Sequence, residues 1–264
     1  MASVVVERHE GVLEIILNRP DILNAVNRET IAALAAAVAE AVEGDARVVL
    51  LRGAGAHFCA GGDITMFAEL IRLPPAERQI ALYRIVATLH PLLTRMRYMP
   101  KPVVAIVQGA AAGFGLSLVL AADLALAADD AVFTSGYIHL GTSPDGGMTA
   151  TLPHIVGIKH AAELMLLGDR FDAQRALALG LVNRVVPAGA LDAEAAALAA
   201  RLAAGPLHAY GRTKALLQAT IGDAFDAQLR RETESFAACA ATDDFAEGVR
   251  AFLEKRRPAF TGEG

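Results

Sequence analysis

The chain has 264 residues, of which 54% are hydrophobic and 20% charged, with a formal net charge of −5. This balance excludes a disordered chain and gives no general attraction to nucleic acid or to an acidic membrane, while the length allows a substantial core in one or two domains. Only two cysteines, Cys59 and Cys239, and no recognisable signal peptide fit a reducing, cytoplasmic setting better than a disulfide framework.

Val4 to Glu7 and Val12 to Leu17 are apolar runs around Glu10-Gly11 and predict an opening hairpin. Asn27 is placed to cap an alanine-rich helix through Val42, with Gly44 as its stop. The branched run Val48 to Leu51 predicts a buried strand leading into the turn Phe58-Cys59-Ala60-Gly61-Gly62-Asp63. Helical patterns interrupted by Pro74-Pro75 extend to about Arg97. The order then repeats with a strand at Val103 to Val107, a second turn at Gly109 to Gly115, a helix at Leu116 to Ala121, and strands at Leu124 to Ala127 and Ala131 to Thr134.

Pro102 to Ala122 carries no charge for 21 residues. Its three glycines, Gln108 and Ser117 favour a buried strand, turn and core helix over a membrane span. Gly141 to Gly147 forms a third loop before helical segments at Thr149 to Pro153 and His160 to Leu167, and Val182 to Val186 predicts a last strand. Beyond Leu191 the pattern is helical. Alternating strands and helices argue for an α/β protein with parallel pairings, divided into a core over 1–195 and a helical subdomain over 196–264.

The two glycine turns carry the first chemical signal. Glycine and alanine let the main chain approach a ligand closely, and a helix start leaves its first N–H groups without internal partners. Two such donors from separate loops can hold a developing oxyanion, an effect of several kcal/mol in a dry site.

In order and spacing, several segments together resemble the crotonase superfamily, the enoyl-CoA hydratase/isomerase family. They are Leu17-Asn18-Arg19-Pro20 with Asn24-Ala25, both glycine turns, Asp123, Leu140-Gly141 with Pro144 and Gly146-Gly147, Leu167 to Arg170, Ala176 with Gly180 to Val182, and Glu254-Lys255-Arg256. The resemblance covers nearly the whole chain. It implies a spiral of ββα repeats with a helical C-terminal part that mediates trimerisation, assembled as a homotrimer or a dimer of trimers. It also implies an acyl-CoA thioester substrate, with coenzyme A as part of that substrate and no metal, flavin or nicotinamide cofactor.

By the same resemblance, the oxyanion donors are the backbone N–H groups of Gly62 and Phe114. The two glutamates that activate water in hydratases fall on Ser117 and Tyr137, neither of which is a carboxylate. Asp145, in Ser143 to Gly147, lies where isomerase branches place their acid/base, and the epoxyphenylacetyl-CoA isomerase branch is the nearest in pattern. A turn-forming role beside Gly146 is the structural alternative for Asp145.

Ala60 and Gly61 are expected near the adenine, Arg19 near a phosphate, and Tyr137 at the acyl pocket or in ordinary packing. Phe236 and Lys255 are expected to reach the nucleotide of a neighbouring subunit. These residues point to enoyl-CoA isomerisation. A hydratase of atypical activity and a non-catalytic acyl-CoA-binding subunit are the alternatives, together with a dehalogenase of the 4-chlorobenzoyl-CoA type that would use Asp145 as nucleophile and His90 as base. His139 faces either the acyl pocket or the loop beneath it. His57 and Cys59 flank the first turn without the ligand cluster a metal would require.

Overall fold

The computed structural model describes residues 2–220 and 224–262, so the helical expectation at 221–223 and 263–264 lies outside the described residues. Strands β1 (Val4–His9) and β2 (Val12–Leu17) form the antiparallel hairpin, with Val4 opposite Leu17 and His9 opposite Val12. Asn27 accepts a 2.9 Å bond from the Thr30 N–H and so caps α1 (Arg28–Glu43), which stops at Gly44. After β3 (Val48–Gly53) come α2 (Ile64–Leu70), α3 (Pro75–Ala87) and α4 (Leu89–Tyr98). Pro74 and Pro75 separate α2 from α3, Pro75 taking the first position of α3, where a missing N–H costs no helical bond.

The uncharged stretch folds as β4 (Val103–Val107), β5 (Ala110–Ala112) and α5 (Phe114–Ala121), with every residue of α5 buried. Among the described residues no helix is long and apolar enough to cross a membrane. The chain continues through β6 (Leu124–Ala128), β7 (Val132–Thr134) and α6 (Met148–Leu167), the last interrupted at Gly157. It then forms β8 (Phe171–Asp172), α7 (Ala173–Ala178), β9 (Arg184–Val186), α8 (Leu191–Ala203), α9 (Leu207–Ala219), α10 (Ala224–Ala240) and α11 (Asp243–Leu253).

The main sheet runs β1-β2-β3-β4-β6-β9, parallel from β2 onward, and a small second sheet runs β5-β7-β8. Alternation along β3 divides the core between the sheet's faces. Val49 and Leu51 join the larger apolar cluster with Leu34, Phe58 and Leu92, while Val48 and Leu50 join a smaller one with Val104, Ile106 and Leu191, Ala195 and Ala199 of α8. The expected division at 195/196 falls within α8, whose Leu191, Ala195 and Ala199 pack on the sheet on both sides of that point.

Helix α9 is tied to the sheet by Lys214. Its buried Nζ donates to Asp123 Oδ2 at 2.6 Å, Met96 O at 2.9 Å and Lys101 O at 3.2 Å. Asp123 Oδ2 also accepts from the Val103 N–H at 2.8 Å, fixing the start of β4.

Candidate active site

The two glycine turns are physically joined. Cys59 N–H donates to Ala110 O and Ala112 N–H donates to Cys59 O, both at 2.9 Å, which makes a bridge between the first turn and β5. Only glycine permits this approach at Gly115, since a Cβ there would stand 2.2 Å from the Cys59 carbonyl oxygen. Beyond the bridge the turns border a cavity of about 650 Å³, whose lining includes Gly62, Phe114, Tyr137, Asp145, Leu82 and Phe236. Among the described residues, neither the Gly62 N–H nor the Phe114 N–H at the first position of α5 has a protein acceptor. Two main-chain donors therefore remain available at the cavity wall, as the turns predicted.

Asp145 is only 6% exposed and lines the same cavity from the loop before α6. That loop can lie directly on α5 because Gly146 has no side chain: a Cβ there would meet Ser117 Cβ at 2.7 Å and the Phe114 ring at 3.0 Å. Burial pushes the Asp145 carboxyl up to about 6, against the hydrogen bond from Tyr137, which favours the ionised form. Tyr137 donates to Asp145 Oδ1 at 2.7 Å. Its own hydroxyl is held well above its ordinary pKa by burial and by the Asp145 charge, so it stays a donor. Among the described residues no protein group bonds Asp145 Oδ2, leaving that oxygen for a ligand. Ser117 Oγ donates to the Asp145 carbonyl at 2.9 Å and lies 3.3 Å from Tyr137 Oη. Two hydroxyl groups, of Ser117 and Tyr137, therefore hold Asp145 through its main-chain carbonyl and its carboxyl.

One functional group was missed in the sequence. Glu232 of α10 is buried and accepts bonds from the Gly147 N–H at 2.6 Å and the Thr149 N–H at 2.8 Å, as well as from the Thr149 hydroxyl. Burial pushes it up to about 7 against those bonds, and the Asp145 charge acts in the same direction as burial. A signal was present: the apolar stripe Phe225, Leu229, Thr233, Phe236, Ala240 carries Glu232 on its buried side.

Ala60 and Gly61 line the cavity beside Gly62. Phe236 does so too, but within its own chain. It is buried against Phe67 and meets Tyr137 edge-on at 6.1 Å between ring centroids. Arg19 lies outside the cavity, where it donates to Asp63 Oδ2 at 2.9 Å and to Ala25 O at 2.7 Å, and this ion pair takes up the guanidinium expected at a phosphate. Asp63 caps α2 through the Thr65 N–H. Lys255 is exposed just beyond the end of α11 and is not itself in the cavity lining, but its N–H donates at 3.2 Å to the carbonyl of Phe252, which is.

His90 faces α10 instead of the cavity, with Nε2 2.6 Å from Thr233 Oγ1, so the base that a dehalogenase would need is not at Asp145. His139 borders the cavity while its Nε2 is held 2.9 Å from Gly168 O. His57 Nδ1 accepts from the Ala110 N–H at 3.1 Å, and burial pushes the Cys59 thiol up to about 12, so neither offers a ready nucleophile or ligand. Among the described residues, carboxylate and imidazole groups cluster at metal-binding spacing in Glu7, His9 and Glu14 on the exposed β1–β2 hairpin, away from the cavity.

Residues 7–263 match the enoyl-CoA hydratase/isomerase family. A probable enoyl-CoA hydratase of Rhodobacter capsulatus is 38% identical over 257 residues, covering 97% of this chain and 96% of the relative. The 1,2-epoxyphenylacetyl-CoA isomerase of Escherichia coli is 36% identical over 255 residues, covering 96% of each. In three dimensions the chain is similar to an enoyl-CoA hydratase from Mycobacterium avium subsp. paratuberculosis K-10, with a TM-score of 0.89 and 35% identity over 98% of this chain and 99% of that one. With two free main-chain donors and a buried carboxyl lining one cavity, and a match that runs almost from end to end, the chain belongs to the enoyl-CoA hydratase/isomerase family, with its crotonase fold.

Proposed function

We propose that the protein is an enoyl-CoA isomerase that shifts a double bond in an acyl-CoA thioester, with Asp145 as its acid/base. The observation that carries this reading is the buried carboxyl in the cavity lining, Asp145; the other carboxyl that borders the cavity, Asp130, is exposed to solvent. Asp145 is oriented by Tyr137 and Ser117, and the other nearby carboxyl, Glu232, is spent on the start of α6 and lies outside the cavity lining. One carboxyl suffices for a proton shift, whereas hydration by the family's route uses two to hold and activate water.

In this reading the thioester oxygen sits between the Gly62 and Phe114 N–H groups. Asp145 Oδ2 takes a proton from C2 of a 3-enoyl-CoA. The C–H electron pair moves into a dienolate whose negative charge rests on that oxygen. The same carboxyl then returns the proton at C4, leaving the double bond between C2 and C3, so atoms and charge balance without metal, flavin or nicotinamide. A pKa of about 6 suits a group that must accept and release a proton near neutrality. Ala60 and Gly61 would lie along the CoA. The exposed Ile158, Leu166 and Leu167 of α6 support assembly with further copies as a homotrimer or a dimer of trimers.

Incubation of the purified protein with 3-enoyl-, 2-enoyl- and aryl-CoA thioesters, with products followed by mass and retention time, tests the reading. Migration of the double bond that is abolished in Asp145→Asn is the expected result. Rapid hydration of a 2-enoyl-CoA without migration overturns it, and binding without turnover across the panel indicates a non-catalytic acyl-CoA-binding subunit.

A further inference from the structure

The N-terminus of α6 begins at Gly147, which has no side chain to cap it, immediately after the loop that carries Asp145. Its main-chain donors are satisfied from a distant part of the chain by Glu232, whose Oε2 takes the Gly147 N–H at 2.6 Å and whose Oε1 takes the Thr149 N–H at 2.8 Å. Gln228, one turn earlier on α10, donates to Thr149 Oγ1 at 2.8 Å and completes the cap. Phe236, one turn later on the same face, packs edge-on against Tyr137, the residue that donates to Asp145. Helix α10 thus reaches Asp145 along two routes, through the backbone that follows it and through its hydrogen-bond donor.

We propose that Glu232 is a positioning residue for Asp145: its carboxylate clamps the Gly147–Thr149 backbone from α10 and thereby fixes the reacting carboxyl in the cavity that the Gly62 and Phe114 donors also line. This rests on the reading of Asp145 as the acid/base. Two consecutive left-handed glycines, Gly146 at φ +69° and Gly147 at φ +77°, would otherwise leave the loop free to move. A carboxylate accepting two main-chain bonds at a helix start is also favoured by the helix dipole.

The clamp carries its own pH dependence. Asp145 and Tyr137 are the titratable groups that act on Glu232 from the loop side. In the adjoining turns, Arg97 of α4 lies over the Phe225 ring and His90 meets Thr233. Burial places Glu232 at about 7 and Asp145 at about 6, so as pH rises the base ionises first and the clamp tightens second.

The test uses the full-length protein and a 3-enoyl-CoA. In the wild type, kcat/KM, which reports ionisations of the free enzyme, should rise with pH in two steps, near 6 and near 7. Glu232→Gln keeps the shape but removes the charge and turns an amide N–H toward a backbone donor. It should lose the upper step and lower kcat about tenfold or more, with KM changed by less than about twofold. Amide hydrogen exchange at Gly147 and Thr149, which needs no turnover, should speed up about tenfold, as expected for loss of one hydrogen bond. Should Glu232→Gln fail to fold, Glu232→Asp keeps the charge one methylene short: the upper step should survive while exchange at both amides accelerates. Unchanged kcat, a retained two-step profile and unchanged exchange in Glu232→Gln overturn the proposal alone. Turnover persisting in Asp145→Asn overturns the acid/base reading, and this proposal with it.

Discussion

Asp145→Asn should make the protein more stable at alkaline pH while abolishing turnover, because the carboxyl is kept in the cavity wall at a thermodynamic cost. Its pKa rises from 3.8 to about 6 on folding, chiefly through burial. At about 1.4 kcal/mol per pKa unit, the ionised side chain costs the fold about 3 kcal/mol once both folded and unfolded states are ionised. The folded chain binds this proton more tightly than the unfolded chain does. The favourable contribution is therefore complete below about 4 and is lost as pH rises through about 6.

Asparagine never ionises, and its carbonyl can still accept from Tyr137. The stability difference between Asp145→Asn and wild type should therefore move in the variant's favour by about 2 kcal/mol between pH 4.5 and pH 8, since part of the cost is already present at the lower pH. Urea unfolding of both proteins at the two pH values, analysed with a common m-value, measures this directly. A stability difference independent of pH would refute the claim that burial of an ionised Asp145 is what raises its pKa.

Three further outcomes follow from the same geometry. Tyr137→Phe removes a bond that favours ionised Asp145, so the acid limb of kcat/KM should move to higher pH and the plateau should fall, as read from a pH–rate profile. Gly115→Ala would drive a Cβ into the Cys59 carbonyl at 2.2 Å and separate the two oxyanion turns. It should cost about a hundredfold or more in kcat, checked by steady-state kinetics alongside calorimetric acyl-CoA binding. Lys214→Met strands Asp123 at the foot of β4 and should destabilise the fold by about 3–5 kcal/mol while leaving kcat of the folded fraction unchanged, measured by urea unfolding and active-site titration.

What was legible in the sequence was what short stretches of chain determine. The β1–β2 hairpin, the Asn27 cap, the Pro74-Pro75 break and the two glycine turns each depend on residues a few positions apart, and each formed where the residue chemistry placed it. Gly62 and Phe114 could be named as donors because a helix start and a glycine turn expose N–H groups without help from distant segments. Contacts that depend on long-range packing were not legible. Arg19 reads as a free cation until Asp63, 44 positions away, is folded against it. The place of Phe236 in the cavity lining emerges only when α10 packs its ring against Phe67 and Tyr137.

Glu232 combines both situations. In the sequence it sits among Arg230, Arg231 and Glu234, and such a run usually marks a solvated helix face. Its register contradicts that: with Phe225, Leu229, Thr233 and Phe236 it falls on the buried stripe, where an unpaired carboxylate would be costly. A charge on an apolar stripe must find donors, and the orphan N–H groups at the start of a glycine-capped helix are the donors that a fold most often leaves unfilled. Helical phase therefore identifies Glu232 as buried and in need of partners, and the Gly146-Gly147 start of α6 as a place in need of an acceptor. Only the folded chain pairs the two, and that pairing links α10 to the carboxyl at the cavity wall.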